Sequence, residues 1–437
     1  MPPLNILYIH SHDTGRYIQP YGHAVATPNL QRLAEEGVLF RQAFTVNPTC
    51  SPSRACLLSG QCAHANGMLG LAHRGFSMNY EHHLVRTLKR RGYLTALAGI
   101  QHEASGPEAS ATIGYDRNLG KPPVAHEKAV EFLDAAPAQP FFLSVGFFET
   151  HREFPVEVVD DPRYTLPPAP LPDNPDTRLD MARFKTMARI YDDKVGQVLA
   201  ALDRNGLAEN TLVVSTTDHG IAFPRMKCNL HDSGIGVMLI LRGPGGFSGG
   251  KVVDRMVTHL DVFPTICELA GIEPPAWLEG RSLGPLARNE VDHLHEEAFF
   301  EVNYHASYEP VRAVRTERWK YIRRYDGRTR PVLPNCDDGL SKDVWAAAGW
   351  GDQAPPEEQL FDLVFDPNES RNLAADPAYA EVLADLKGRL AAWMERTNDP
   401  LLEHGYVPAP ETARVNDPDD FSPKHDPLPV WKYHRHE

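Results

Sequence analysis

Cys50-Ser51-Pro52-Ser53-Arg54 sets a sulfur, a helix-starting proline and a guanidinium within five residues. Pro52 suits the first turn of a helix, because its fixed φ is already helical and its missing N–H would have no partner there. Cys50 is therefore expected at a helix N-terminus, where free amides and the positive end of the helix dipole face any anion held beside it. Arg54, one turn on, reaches the same space. An anion site with a sulfur in it is the simplest physical account; a buried cysteine at a helix start is the plain structural one.

Two further clusters combine carboxylate and imidazole. His10-Ser11-His12-Asp13-Thr14-Gly15 follows one apolar run, and Thr216-Thr217-Asp218-His219-Gly220 follows another. In open α/β sheets ligands gather at the carboxyl ends of strands, so the two clusters are expected to converge on one metal. Caps and turn formers would explain either aspartate alone and explain both clusters poorly.

With these residues in view, Cys-x-Pro-x-Arg followed by Ser59-Gly60 resembles the signature of the sulfatase family, with Ser59 where threonine is usual. The resemblance implies that Cys50 is oxidised after synthesis, by a formylglycine-generating enzyme, to formylglycine. Its hydrate would attack the sulfur of a sulfate ester or sulfamate. Family metal ligands are two adjacent aspartates and a later Asp-Asn pair; here Asp13 and Asp218 match, while His12 and His219 depart from the pattern. Calcium is implied by the family, whereas imidazole donors favour manganese or zinc. Gly99-Ile100-Gln101-His102 matches a Gly-Lys-x-His segment, keeping His102 but placing Ile100 where a sulfate-contacting lysine belongs. Phe148-Glu149-Thr150-His151-Arg152 carries over a substrate-proximal histidine, His151, with Glu149 and Arg152 beside it. Lys227 is the candidate basic contact to the sulfate oxygens, and Arg225 its backup.

The likeness covers nearly the whole chain and is strongest to the sulfamidase branch. It is carried by Asn66-Gly67-Met68, Pro140-Phe141-Phe142-Leu143, Gly220-Ile221-Ala222-Phe223-Pro224, Leu360-Phe361-Asp362-Leu363, Asp366-Pro367 and Asn372-Leu373. It implies an alkaline-phosphatase-like fold, often dimeric, and a small sulfated anion as substrate. The segment Glu301–His305 and Arg312 are expected to lean over the pocket mouth. Arg54, Lys227 and the metal would meet charge on the sulfate oxygens, with His151 or His102 protonating the leaving group. Phosphonate monoester or phosphodiester hydrolysis is the rival chemistry, and an unmodified Cys50 in an anion-binding protein the non-catalytic rival.

The remaining sequence must position these groups. At 437 residues the chain exceeds one ordinary core, so a large domain over 1–292, a smaller α+β domain over 293–397 and an extended arm over 398–437 are expected. Apolar runs alternate with helical patterns, the mark of a sheet covered by helices on both faces. Strands are expected at 4–9, 38–44, 94–98, 141–147, 211–216 and 237–241. Helices are expected at 27–37, 83–91, 124–135, 177–204 and 261–271. Later strands fall at 297–304, 311–315 and 319–325, with a last helix at 377–396. A net charge of −14 argues against a nucleic-acid surface. No apolar run approaches a membrane span, no leader pattern is read, and six cysteines without close pairing suit a reducing compartment, so a cytoplasmic protein is expected.

Overall fold

The computed structural model describes residues 4–430, so the end of the expected arm, 431–437, lies outside the described residues. Eight strands form the main sheet: β1 (Asn5–His10), β2 (Val38–Phe44), β3 (Leu94–Gly99), β4 (Arg117–Gly120), β5 (Phe141–Gly146), β6 (Thr211–Thr216), β7 (Leu239–Arg242) and β8 (Lys251–Thr258). Their spatial order is β4-β3-β5-β1-β6-β7-β2-β8. Every neighbouring pair is parallel except the two that involve β7, which runs against the rest.

Central strands of such a sheet are buried on both faces, and β1 shows why the run 6–9 is continuously apolar. Ile6 and Tyr8 enter one core with Leu57, Leu58, Val85, Leu88 and Phe263, while Leu7 and Ile9 enter the other with Leu33, Phe132, Tyr191 and Val198. Each fully buried side chain of this size contributes about 1.5–3 kcal/mol, so the two cores fix the register of β1 against both neighbours. Helices Pro28–Glu36, Ala125–Asp134 and Pro175–Arg204 cover one face, and Cys50–Ser59, Leu84–Arg90 and Val262–Ala270 the other.

A second, antiparallel sheet contains β9 (Ala298–Tyr304), β10 (Tyr308–Arg315), β11 (Trp319–Arg324) and β12 (Glu358–Asp362), ordered β12-β11-β10-β9. Helix Ala380–Arg396 packs Leu386, Leu390, Trp393 and Met394 on it, in a core that also takes in Ala55, Met68 and Phe76. Beyond it the chain lies on the body: Val407, Ala413 and Val415 are buried, and Arg74 donates to Ala306 O, Asn416 Oδ1 and Pro423 O.

Strands β4, β8 and β12 were not expected. They are edge strands, and the half of β8 at Lys251–Arg255 alternates exposed and half-buried residues without an apolar run. Edge strands carry charge for that reason, which hides them from a hydrophobic pattern. Among the described residues no helix is long and apolar enough to cross a membrane.

Candidate active site

The parallel strands deliver their carboxyl ends to one rim, and every cluster named above except one leaves from it. The β1 end leads to His12 and Asp13, β6 to Asp218 and His219, β5 to Glu149 and His151, β3 to His102, and β2 through Thr45–Thr49 to Cys50. Cys50 is the first residue of helix Cys50–Ser59 and is only 2% exposed. The helix closes on Gly60, whose φ of 69° suits glycine.

Cys50 Sγ lies 3.3 Å from His219 Nε2 and 4.0 Å from His305 Nε2. His219 Nδ1 donates to the carbonyl of Gly220 at 3.0 Å, which leaves Nε2 facing inward. That nitrogen is 3.4 Å from Asp13 Oδ1 and 3.6 Å from Asp218 Oδ2. His12 Nδ1 bridges the same carboxylates at 2.8 and 3.1 Å. Asp13 takes a left-handed φ of 58°, and its N–H donates to Asp218 Oδ1 at 2.8 Å, locking the two strand-end turns together.

Two cations are built into this cluster. Arg54 donates to Asp218 Oδ2 at 2.9 Å, to Ser11 O at 2.8 Å and to His10 Nδ1 at 2.5 Å. Lys227 Nζ bridges Asp13 Oδ2 at 2.9 Å and Asp337 Oδ2 at 2.8 Å. Burial alone would raise the pKa of Asp13, but Lys227, His151 and His219 outweigh it and hold the carboxyl well below the usual range. Burial would likewise neutralise Lys227; Asp13 and Asp337 keep it charged. Burial pushes the Cys50 thiol well above its ordinary pKa despite Lys227, so an unmodified cysteine here stays protonated and is a poor nucleophile.

Asp13, Asp218, His12 and Cys50 offer ligand atoms that all lie within 4.8 Å of one another. Three carboxylates against two fixed cations leave a negative excess that a divalent ion would neutralise, taking the place of the proton between His12 and the aspartates. The residues therefore fit a metal.

On the exposed side His151 Nε2 is 4.0 Å from Asp13 Oδ2, and His102 Nε2 is 3.0 Å from His73 Nδ1. The buried Nδ1 of His102 and that of His305 have no partner among the described residues. Asp337 and His73 were not foreseen. His305 lies just past the end of β9, inside the segment Glu301–His305 expected near the pocket mouth, although no separate role was expected of it.

The structure places five expected substrate contacts in other roles. Glu301 is fully buried and pairs with His64 at 3.1 Å, and Arg312 is fully buried in a double hydrogen bond to Asp399 at 2.6 and 3.0 Å, so neither reaches the mouth. Arg152 spends its guanidinium on Asp180 at 2.9 and 2.6 Å and on Ala222 O. Arg225 turns away from Lys227, at φ 60°, towards His231. Glu149 is held by Lys194 at 2.5 Å and serves the site through its carbonyl, which accepts from the N–H of His12 at 2.9 Å.

Residues 4–272 match the Sulfatase family model, and residues 220–333 match the model described as N-sulphoglucosamine sulphohydrolase, C-terminal. The human N-sulphoglucosamine sulphohydrolase is 30% identical over 465 residues, covering 91% of each chain. Among solved structures, a 2-O GAG sulfatase superposes with a TM-score of 0.71 at 22% identity, covering 98% of this chain and 97% of that one. The phosphonate monoester hydrolase of Silicibacter pomeroyi superposes with a TM-score of 0.72 at 20% identity over 91% and 96%. Both show the alkaline-phosphatase-like fold and do not choose between sulfur and phosphorus chemistry. Sequence identity and the family model decide what the fold leaves open: this chain belongs to the sulfatase family and is a sulfate ester or sulfamate hydrolase.

Proposed function

We propose that this chain hydrolyses the sulfate ester or N-sulfate of a small anionic saccharide, with formylglycine at position 50 and one divalent metal held by Asp13, Asp218, His219 and His12. The observation that carries the reading is the placement of a buried, unreactive thiol 3.3 Å from His219 Nε2 and within 4.8 Å of two carboxylates that pair with Arg54 and Lys227. The aldehyde hydrate would supply a nucleophilic oxygen and a second hydroxyl through which sulfate is released, and the metal would lower the pKa of that oxygen. Net, one water is consumed and the alcohol or amine, sulfate and a proton are formed.

The chain's own residues do the rest. Arg54 holds Asp218 and Lys227 holds Asp13, so both cations stand in the cluster around position 50, where they can meet charge on the sulfate oxygens. Ile100 cannot supply the cation usual at its position. A sulfate monoanion needs fewer positive contacts than a phosphate dianion, which disfavours phosphomonoesters as substrates. His151 and His102 lie on the open side, where they can deliver a proton to the departing oxygen or nitrogen. The 30% identity to the human N-sulphoglucosamine sulphohydrolase supports a sugar N-sulfate within this class. Six free cysteines support a reducing compartment.

Two measurements test the proposal. The peptide containing position 50, taken from active protein, should show the mass of an aldehyde or its hydrate; unmodified thiol alone would sink the mechanism. With sulfate, sulfamate, phosphodiester and phosphonate forms of one leaving group, kcat/KM should favour the sulfur substrates. A preference for phosphorus above about tenfold, ~1.4 kcal/mol, would transfer the chain to the rival chemistry.

A further inference from the structure

A second cavity, of about 630 Å³, opens beside the loop that carries Lys227, and Cys50 does not line it. Its size is in the range that takes a small molecule or a saccharide ring. Arg16, Arg225, His231 and Arg315 line it, together with the carboxylates of Asp232 and Glu369.

The charges there do not balance. Arg315 spends itself on Asp232 at 3.1 and 3.0 Å, and Lys320, fully buried behind, takes Asp232 at 2.5 Å and Glu369 at 2.8 Å. Both inner carboxylates are thereby used. The other acids of the lining, Asp254 and Glu317, are exposed at the rim and answer Arg41 and Arg255. Arg16 and Arg225 have no carboxylate partner among the described residues. Arg16 donates only to Ala43 O at 3.0 Å, lies 4.5 Å over the Phe44 ring, and leaves a buried Nε unpartnered. Arg225 approaches His231 Nε2 at 3.3 Å; a guanidinium only donates, so that nitrogen accepts and the proton of His231 is on Nδ1. His231 is 7% exposed and lies between Arg225 and Gln359. A chain with a net charge of −14 thus gathers around one cavity two half-buried guanidiniums without a paired carboxylate, one of them with an unpartnered Nε. A half-buried guanidinium gains most from a charged acceptor, and what answers both at once is a multivalent oxygen acceptor with negative charge.

We infer that this cavity is an oxyanion site, separate from the Cys50 centre, that takes a sulfate group. The anion site rests on geometry; the choice of sulfate among oxyanions rests on the proposed function. The ligand is free sulfate or a sulfate carried on a saccharide, and the two are separable by experiment.

Binding is to be measured by isothermal titration on the full chain carrying Cys50→Ala, with inorganic sulfate and, separately, a heparin-derived disaccharide as probes. The same chain with Arg16→Gln and Arg225→Gln is the comparison, and its circular dichroism and melting temperature report the fold. Affinity should fall at least tenfold in the doubly substituted chain and stay within about threefold with Arg16→Lys and Arg225→Lys. Loss with inorganic sulfate identifies free sulfate as a ligand; loss with the disaccharide alone identifies a saccharide-borne group. Equal affinity in the parent and the glutamine variant, or binding of neither probe to the parent, overturns the inference. Should the glutamine variant not fold, parent crystals soaked in selenate decide, an anomalous peak between Arg16 and Arg225 supporting the site and its absence refuting it. None of these readouts uses turnover, so failure of the proposed reaction leaves them intact.

Discussion

The cluster around Cys50 and the cluster around Glu301 are both buried and ionic, and they differ in what is left open. Around Glu301 each charge has its answer: His64 at 3.1 Å, Asn303 at 2.8 Å, Arg312 at 3.7 Å, with Arg312 itself closed by Asp399. Around Cys50 the carboxylates of Asp13, Asp218 and Asp337 outnumber Arg54 and Lys227, and unpartnered imidazole nitrogens of His102 and His305 remain. A saturated buried network holds a fold, whereas an unsaturated one holds a place for something else. Saturation therefore separates structure from function where residue type does not.

The comparison can be broken by substitution, and the largest effect belongs to the unsaturated side. Cys50→Ala should lower kcat/KM by at least about 10⁴, or ~5.5 kcal/mol, with unfolding free energy within about 1 kcal/mol of the parent. An active Cys50→Ala chain would end the nucleophile assignment. Asp218→Ala should remove both bound metal, read by elemental analysis, and turnover by about 10³-fold; unchanged metal content would refute the ligand set.

On the saturated side, Glu301→Gln should cost about 3 kcal/mol of stability in urea unfolding, because it leaves Arg312 and His64 partly unanswered. Its kcat/KM should stay within about threefold; a larger catalytic than stability effect would make Glu301 a site residue after all. A smaller change is expected at His305→Asn, about tenfold in kcat with the fold retained, below the ~10²–10⁴-fold of a group that itself moves the proton, since His305 acts by orienting position 50.

The smallest effect lies in pH. Burial would raise the pKa of Glu301, but His64 and Arg312 bring it down to about 2. A carboxyl held below its ordinary ~4.3 adds stability that is fully present above that value and is lost as pH falls towards 2. His64 works in the opposite sense: Glu301 overcomes burial and raises its pKa, so its contribution is full below about 6.5 and fades as pH rises past the raised value. Stability against pH should therefore lose slope between about pH 4.5 and 2 in Glu301→Gln; an unchanged profile would show that the pair adds nothing.

The same distinction explains what could be read beforehand. β1, β5 and β6 were legible because central parallel strands are apolar on both faces, and the clusters at their ends because polar residues after such runs have few structural uses. Edge strands β4, β8 and β12 were not, having no apolar run to show. Cys50, Arg54, Asp13 and Asp218 came together as expected from spacing and topology. Glu301, Arg312 and Arg152 were misjudged because a charged side chain in sequence does not reveal whether a partner such as Asp399 or Asp180, far along the chain, already saturates it. Asp337 was invisible for the converse reason, as only folding brings it to Lys227.

The depth of Cys50 also sets an order of events. At 2% exposure, beneath loops contributed by residues as distant as His305 and Asp337, its side chain is out of reach of any catalyst acting on the finished molecule. Under the proposed mechanism, conversion of that residue to an aldehyde would have to be completed while the segment from Asn47 to Gly60 is still an accessible peptide. Maturation and folding would then compete in time, and a chain that folded first would keep its thiol.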